Sequence, residues 1–104
     1  MKDKYIDIAK KIILNNIDCD EINVFLFGSR VKNDSRRNSD IDIGFLGNEA
    51  LDHRVFRKIA DELQESIVPY HFDLIDFSKV DNNFKKIALQ RIMLWNKAKN
   101  IPIN

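Results

Sequence analysis

The residues most able to do chemistry begin at Gly28-Ser29-Arg30, which follows a short apolar run ending at Phe27. Glycine allows a tight turn and lets the backbone approach a ligand closely. If a helical turn begins here, its first N–H groups are unpaired and can bind phosphate oxygens. Ser29 adds a hydroxyl, and Arg30 adds a guanidinium whose fork of donors matches a phosphate group. Alone, Gly28-Ser29 would indicate only a turn, so its meaning depends on the residues downstream.

Two carboxylates, Asp40 and Asp42, follow Ser29 after ten intervening residues. They belong to the alternating segment Asp-Ile-Asp-Ile-Gly-Phe, which is typical of a strand, so both side chains are predicted to lie on one face. Adjacent carboxylates repel each other unless water or a cation separates them. Oxygen ligands on a rigid element suit Mg²⁺, which completes its coordination with water and substrate phosphates. An isolated pair would indicate a solvated acidic strand, whereas its spacing from Gly28-Ser29 favours a magnesium site.

Asp73 is the predicted third carboxylate. It lies in the middle of the apolar segment 70–77, where a buried ionised side chain would be costly without a partner. A metal held by the two upstream carboxylates would supply that partner. Strand periodicity places Asp76 on the opposite face and nearer the strand end, where we expect a solvated or capping role. We therefore predict that Asp73, rather than Asp76, completes the acidic site.

The segments that must position these residues alternate between helical and extended patterns. Apolar residues at helical spacing predict helices, and short β-prone or alternating runs predict strands. Asp52 is a suitable N-cap, and Pro69 prevents continuation of the helix that follows it. The predicted elements are a helix over 3–17, strands over 22–27 and 40–45, a helix over 52–67, a strand over 70–77 and a helix over 81–91. The apolar residues 92–96 could extend the last helix or form a short strand. This order predicts a small α/β (α+β) fold, a mixed β-sheet flanked by helices.

The bulk properties fit one small domain spanning residues 1–104. A chain of 104 residues leaves no room for two separate cores, and its net charge of +1 gives no general argument for nucleic acid. The single cysteine, Cys19, excludes an internal disulfide and suits a reducing compartment. No apolar run approaches the length of a membrane span, and the N-terminus is too charged for a signal peptide. We therefore expect a cytoplasmic protein that does not enter a membrane.

The order Phe27-Gly28-Ser29, ten residues and then Asp40-Ile41-Asp42-Ile43 resembles the signature of the DNA polymerase β-like nucleotidyltransferase superfamily. The likeness is strongest to its smallest members, the minimal nucleotidyltransferase (MNT) domains of bacteria and archaea. Two features are typical of them: the sequence Gly-Ser-Arg-Val-Lys…Ser-Asp-Ile-Asp-Ile, and a later strand ending in Asp-Leu-Ile-Asp. The resemblance covers nearly the whole chain, from Tyr5 to Trp95, and implies the polymerase β-like palm fold.

The resemblance implies nucleotidyl transfer that depends on two Mg²⁺ ions. Asp40 and Asp42 would hold Mg²⁺ on the triphosphate of ATP or another NTP. Asp73 would bind the second metal and help to activate an acceptor hydroxyl, which attacks the α-phosphorus and releases pyrophosphate. The nucleotide-binding residues that the resemblance implies are Gly28, Ser29 and Arg30.

For the minimal family, the resemblance also implies a partner, a helical HEPN-domain protein encoded alongside. The two would form a toxin–antitoxin pair in which the MNT protein is the antitoxin, and the acceptor could be a tyrosine of the partner. The alternative is a catalytically weak or inactive binding module that neutralises a HEPN toxin by forming a complex; the intact acidic triad counts against it. Nucleic-acid binding through the basic segment 30–37 is a third hypothesis, and the near-neutral charge counts against it. A homodimer and a hetero-oligomer both fit, and the sequence identifies neither the base nor the acceptor.

Overall fold

The computed structural model describes residues 4–28 and 41–101, so three of the predicted site residues, Ser29, Arg30 and Asp40, lie outside the described residues. The elements, in chain order, are α1 (Lys4–Leu14), β1 (Ile22–Phe27), β2 (Ile41–Gly47), α2 (His53–Glu65), β3 (Phe72–Asp76), α3 (Asn82–Ala88) and β4 (Met93–Asn96). The undecided C-terminal segment is therefore a strand. In the ranges just given, no helix has the length and apolar character needed to cross a bilayer.

The four strands form one mixed sheet in the order β3-β2-β1-β4. β1 pairs antiparallel with both β2 and β4, whereas β2 and β3 are parallel. A parallel pair needs a crossover connection, and α2 supplies it between β2 and β3. The predicted small mixed sheet with flanking helices is confirmed.

One face of the sheet carries the larger core and is covered by α1 and α2. Alternate residues of β2, Ile41, Ile43 and Phe45, are fully buried there, as the strand pattern predicts. Helix α2 contributes the buried Ile59 and Leu63, which lie one turn apart. The same core includes Ala9, Ile13, Val24, Leu26, Leu51 and Trp95. Because the apolar residues of α1 and α2 pack on this face, the alternate side chains of the strands point to the opposite face of the sheet.

The caps of α2 follow the local sequence. The Asp52 side chain accepts a hydrogen bond from the Arg54 backbone N–H at 2.9 Å, as an N-cap does. At the other end, Ser66 donates its backbone N–H to the Leu63 carbonyl oxygen, and the helix stops before Pro69. The N-cap prediction is confirmed, but the helix is shorter than 52–67.

The other face of the sheet carries an aromatic cluster. Phe77 packs edge to face against both Phe25 and Phe27, with ring centroids of Phe25 and Phe77 4.8 Å apart. Gly44 makes this possible, because a Cβ there would lie 2.8 Å from Phe77 Cε1 and would also collide with the Phe25 ring. Phe84 of α3 extends the cluster at its edge and stays 41% exposed. Phe27 of this cluster is the register partner of Asp42, so the cluster lies next to the predicted acidic site.

Two details of the sheet differ from what the sequence patterns indicate. Met93 belongs to the apolar segment 92–96 but is 53% exposed on β4, an edge strand whose register with β1 shifts between Val24 and Phe25. The strand predicted over 40–45 extends to Gly47, which pairs with Ile22 as the last residue of β2. Both differences lie at strand ends or sheet edges. There, the alternation of apolar and polar residues does not show which other elements pack against the strand.

Candidate active site

Gly28 is placed so that its backbone meets the Asp42 side chain. It directly follows β1, has φ of +82°, and lies beside the register pair of Phe27 and Asp42. A Cβ at this position would collide with Asp42 Oδ2 and lie 3.3 Å from Asp42 Cγ. Only glycine combines this left-handed backbone with so close an approach to a carboxylate. The structure therefore explains why a glycine precedes the predicted phosphate-binding turn.

Asp42 and Asp73 are direct partners in the parallel pairing of β2 with β3. Directly paired residues on adjacent strands share a face, and the strands lie about 4.8 Å apart. Both carboxylates therefore lie on the face that carries the aromatic cluster, opposite the helix-covered core. The structure brings together Gly28, Asp42 and Asp73 from three different strands or strand ends.

Asp73 is more accessible than the sequence suggested. Its side chain is 50% exposed, although it stands in an apolar run, because α3 packs over Phe27 and Phe77 and leaves this end of β3 uncovered. Burial therefore does not demand a counter-ion at Asp73, and the expectation of a buried charge there was wrong. His71 Nε2 lies 3.6 Å from Asp73 Oδ1 and its side chain is 71% exposed, so His71 lies at the rim of the site.

Asp76 is a structural carboxylate. It is only 7% exposed, so of the two roles predicted for it, solvated or capping, the structure excludes the first. Its two oxygens accept hydrogen bonds from the Leu51 backbone N–H at 2.9 Å and from the Ser78 N–H and hydroxyl at 3.0 and 2.7 Å. Asp76 thus joins the end of β3 to the segment before α2, and capping this turn is its role.

The described part of the site fits a hard divalent cation. Two carboxylates held side by side on paired strands, one half-exposed, offer the oxygen donors and the open side that Mg²⁺ needs for water and phosphate ligands. Among residues 4–28 and 41–101, no three acidic, histidine or cysteine side chains form a cluster, so a third carboxylate would have to come from outside these ranges. The sequence prediction of Asp40 as a ligand falls there.

Gly44 is a residue whose importance sequence reasoning missed. It shares the face of Asp42 two positions along β2, and its missing side chain admits the rings of Phe25 and Phe77. The available signal was a glycine inside an otherwise regular strand, which often marks close approach by another group. Its effect is to let the aromatic cluster support the strand directly beside the acidic pair.

Residues 5–100 match the protein family described as "Polymerase beta, Nucleotidyltransferase". The chain belongs to this family. The resemblance on which the nucleotidyltransferase prediction rested is therefore confirmed over nearly the whole length, and the site lies where the family signature was found in the sequence.

One relative and two solved structures that resemble this chain agree with this assignment. The chain is 29% identical over 102 residues to the probable protein adenylyltransferase MntA of Haemophilus influenzae, covering 97% of this chain and 88% of that protein. Its fold matches a toxin–antitoxin crystal structure with AMP-PNP at a TM-score of 0.71 and 24% identity, covering 96% of this chain and 77% of the other. It also matches the complex of a tri-AMPylated Shewanella oneidensis HEPN toxin with an MNT antitoxin, at a TM-score of 0.68 and 21% identity, over 96% and 76% of the two chains. The predicted polymerase β-like nucleotidyltransferase fold is confirmed.

Proposed function

We propose that this protein is an Mg²⁺-dependent protein adenylyltransferase that transfers AMP from ATP to a hydroxyl group of a HEPN-domain partner, as the antitoxin of a toxin–antitoxin pair. The observation that carries the proposal is the register pairing of Asp42 with Asp73, with Gly28 packed against Asp42. The relative named as a protein adenylyltransferase, with which this chain shares nearly its whole length, supports the choice of AMP and of a protein acceptor.

The residues of this chain are proposed to act by binding and orientation. Gly28 allows the turn after β1 to approach the triphosphate, and Ser29 and Arg30 would donate hydrogen bonds to its phosphates. Asp42 and Asp73, together with Asp40, would hold two Mg²⁺ ions. When bound, these ions neutralise charge on the triphosphate and stabilise the attacking and leaving oxygens.

Asp73 is the residue proposed to face the acceptor. It belongs to the outermost of the three strands that form the site, and half of its side chain is exposed. An acceptor hydroxyl lying beside it attacks the α-phosphorus, the bond to the bridging oxygen of the pyrophosphate breaks, and the hydroxyl proton leaves to Asp73 or to water. Phosphoryl-type transfer depends mainly on positioning and charge neutralisation, both of which a pair of fixed carboxylates can provide.

The partner is proposed to be a HEPN-domain protein. The structural neighbours include a HEPN toxin that is AMPylated and bound to an MNT antitoxin, which supports a complex of the same kind here. ATP and Mg²⁺ are both abundant in the cytoplasm, and we propose that the reaction takes place there. Modification of the toxin, beyond simple occlusion, would be the means of neutralisation.

Transfer of label tests the proposal. The protein is incubated with its HEPN-domain genomic neighbour, Mg²⁺ and ATP labelled at the α-phosphate, and labelled neighbour is separated and counted. We expect label on the neighbour with the natural chain and with Asp61→Asn, a control that removes an exposed carboxylate of α2. We expect its loss with Asp42→Asn and with Asp73→Asn.

Two results would contradict the proposal. Label transfer that survives Asp42→Asn combined with Asp73→Asn would show that these carboxylates do not form the site. A complex that silences the neighbour without any label transfer would establish the alternative, a binding module that acts by covering its partner.

A further inference from the structure

Strand β3 lies at an edge of the sheet, and part of its backbone points away from its neighbour. The Ile41 N–H donates to the His71 carbonyl oxygen at 2.9 Å, and Ile41 is the register partner of Phe72. Hydrogen bonding alternates along a parallel pair, so the N–H and C=O groups of Phe72 and Leu74 point to the opposite side. Within residues 4–28 and 41–101, no strand pairs with β3 on that side.

A cleft of about 580 Å³ runs along this free edge, between β3 and the end of α2. Both apolar and polar side chains line it, and Gln64, Tyr70 and His71 are the polar ones. The Nε2 of His71 is 3.6 Å from Asp73 Oδ1. The cleft lies on the side of β3 that faces α2, whereas Asp73 lies on the other face of the same edge strand. A segment paired with this edge would therefore contact both the cleft and the acceptor side of the proposed catalytic site. The residues that line it include Ala60, Leu63, Val68, Pro69, His71 and Leu74.

We propose that an extended, hydroxyl-bearing segment of the acceptor protein binds to the free edge of β3 as an additional strand. This inference rests on the proposed transferase function, because it concerns how the acceptor reaches Asp73. Exposed edge strands offer a ready template for pairing with another chain, and strand addition is a recurring mode of peptide recognition. The outward N–H and C=O groups of Phe72 and Leu74 provide the pairing sites.

The alternation of the added strand determines the chemistry of the segment. Side chains on one face would lie over the cleft beside Leu63 and Leu74, and those on the other face would lie beside Asp73. A hydroxyl residue beside Asp73 would thus be flanked in sequence by apolar residues. Adjacent strands are about 4.8 Å apart, so the hydroxyl must extend across β3 to reach between Asp73 and Asp42.

Amide hydrogen exchange tests the pairing directly. The full chain is measured alone and in complex with its HEPN-domain genomic neighbour, with exchange resolved at single amides. In the free protein, the outward amide of Leu74 should exchange faster than those of Asp73 and Ile75, which face β2. In the complex, exchange at Leu74 should slow by at least about tenfold. Unchanged exchange at Leu74 in the complex would overturn the inference.

A blocking substitution adds a functional readout. Ala60 is exposed and lines the cleft, so Ala60→Arg fills it without disturbing the core. Ala50 is also exposed but follows the far end of β2, so Ala50→Arg is the matched control. We expect Ala60→Arg to slow label transfer at least about tenfold while leaving MgATP binding unchanged. Equal transfer by Ala60→Arg and Ala50→Arg would contradict a docking role for the cleft.

The failure of this inference and that of the transferase proposal are distinguishable. If Leu74 is protected in the complex but no label moves, the docking surface stands and the transferase proposal fails. If label moves while Leu74 exchanges as in the free protein, transfer stands and the docking surface fails. Asp42→Asn and Asp73→Asn should abolish transfer and leave the protection of Leu74 intact.

Discussion

Asp42 and Asp73, which are 31 positions apart in the chain, are direct neighbours across the parallel pair β2–β3. Their proximity follows from the crossover through α2, which returns the chain to the same sheet in the same direction. Two carboxylates so placed can offer oxygen ligands to the same cation, which would offset their like charge. The arrangement is therefore suited to a bound metal.

The first prediction concerns the charge of Asp73. Asp73→Asn removes one charge of the pair and keeps the shape of the side chain, so the free protein should be as stable as the natural chain or more stable. Label transfer should fall by at least about 100-fold, because charge stabilisation of the reacting phosphate is lost. Thermal unfolding and the transfer assay measure the two effects on the same sample. A marked loss of stability would show that Asp73 is a structural residue.

The second prediction separates Asp73 from Asp76, which lies three positions along the same chain segment. Asp76→Ala leaves the Leu51 N–H and the Ser78 donors without their buried acceptor, so the free energy of unfolding should fall by about 1–3 kcal/mol. Asp73→Ala, in the half-exposed site, is the matched control and should change stability little. Urea unfolding measures both. The assignment of Asp76 as structural fails if the two variants are equally stable.

The third prediction concerns Gly28. Gly28→Ala introduces a Cβ at φ of +82° against the Asp42 carboxylate, so stability should fall by about 1–2 kcal/mol and MgATP binding should weaken. Gly47→Ala, at the far end of β2, is the control for binding, because it lies away from Asp42. Calorimetric titration with MgATP measures the affinity. Equal affinities for the two variants would show that Gly28 has no part in the site.

How far the sequence predicts the molecule can be judged from individual residues. The bounds of β1 and the cap at Asp52 were correct, because a buried apolar run and a capping side chain are local signals. Strand period correctly placed Asp73 and Asp76 on opposite faces. It did not show which of them is buried, because burial depends on where α3 and the segment at Leu51 pack.

The edges of the sheet were the least predictable part. The segment that forms β4 has too few residues for its period to distinguish a helix from a strand, and only pairing with β1 decides between them. The exposed side of β3 and the cleft beside it likewise arise from the order of the strands, which no local pattern contains. The family signature could be found in the sequence because its glycine and carboxylates are close together along the chain.

The fourth prediction concerns pH. The Arg54 side chain and backbone N–H donate to Asp52 and lower the pKa of its carboxyl from 3.8 to about 2. Because the folded pKa lies below the unfolded one, the contribution to stability is present above pH 3.8 and is lost as the pH falls through about 2. Arg54→Gln should raise the pKa of Asp52 while the backbone bond at the N-cap remains. Titration of the carboxyl resonances by NMR measures both values, and an unchanged pKa would contradict the role of the Arg54 side chain.

The central claim is that Asp42 and Asp73 form a metal–nucleotide site. Its most direct test is calorimetric titration of the natural chain and of the variant carrying both Asp42→Asn and Asp73→Asn. ATP is added with Mg²⁺ and, separately, with a chelator in place of Mg²⁺. We predict that the natural chain binds ATP only with Mg²⁺, and that the variant binds at least about tenfold more weakly. Equal MgATP affinity for the natural chain and the variant would contradict the claim.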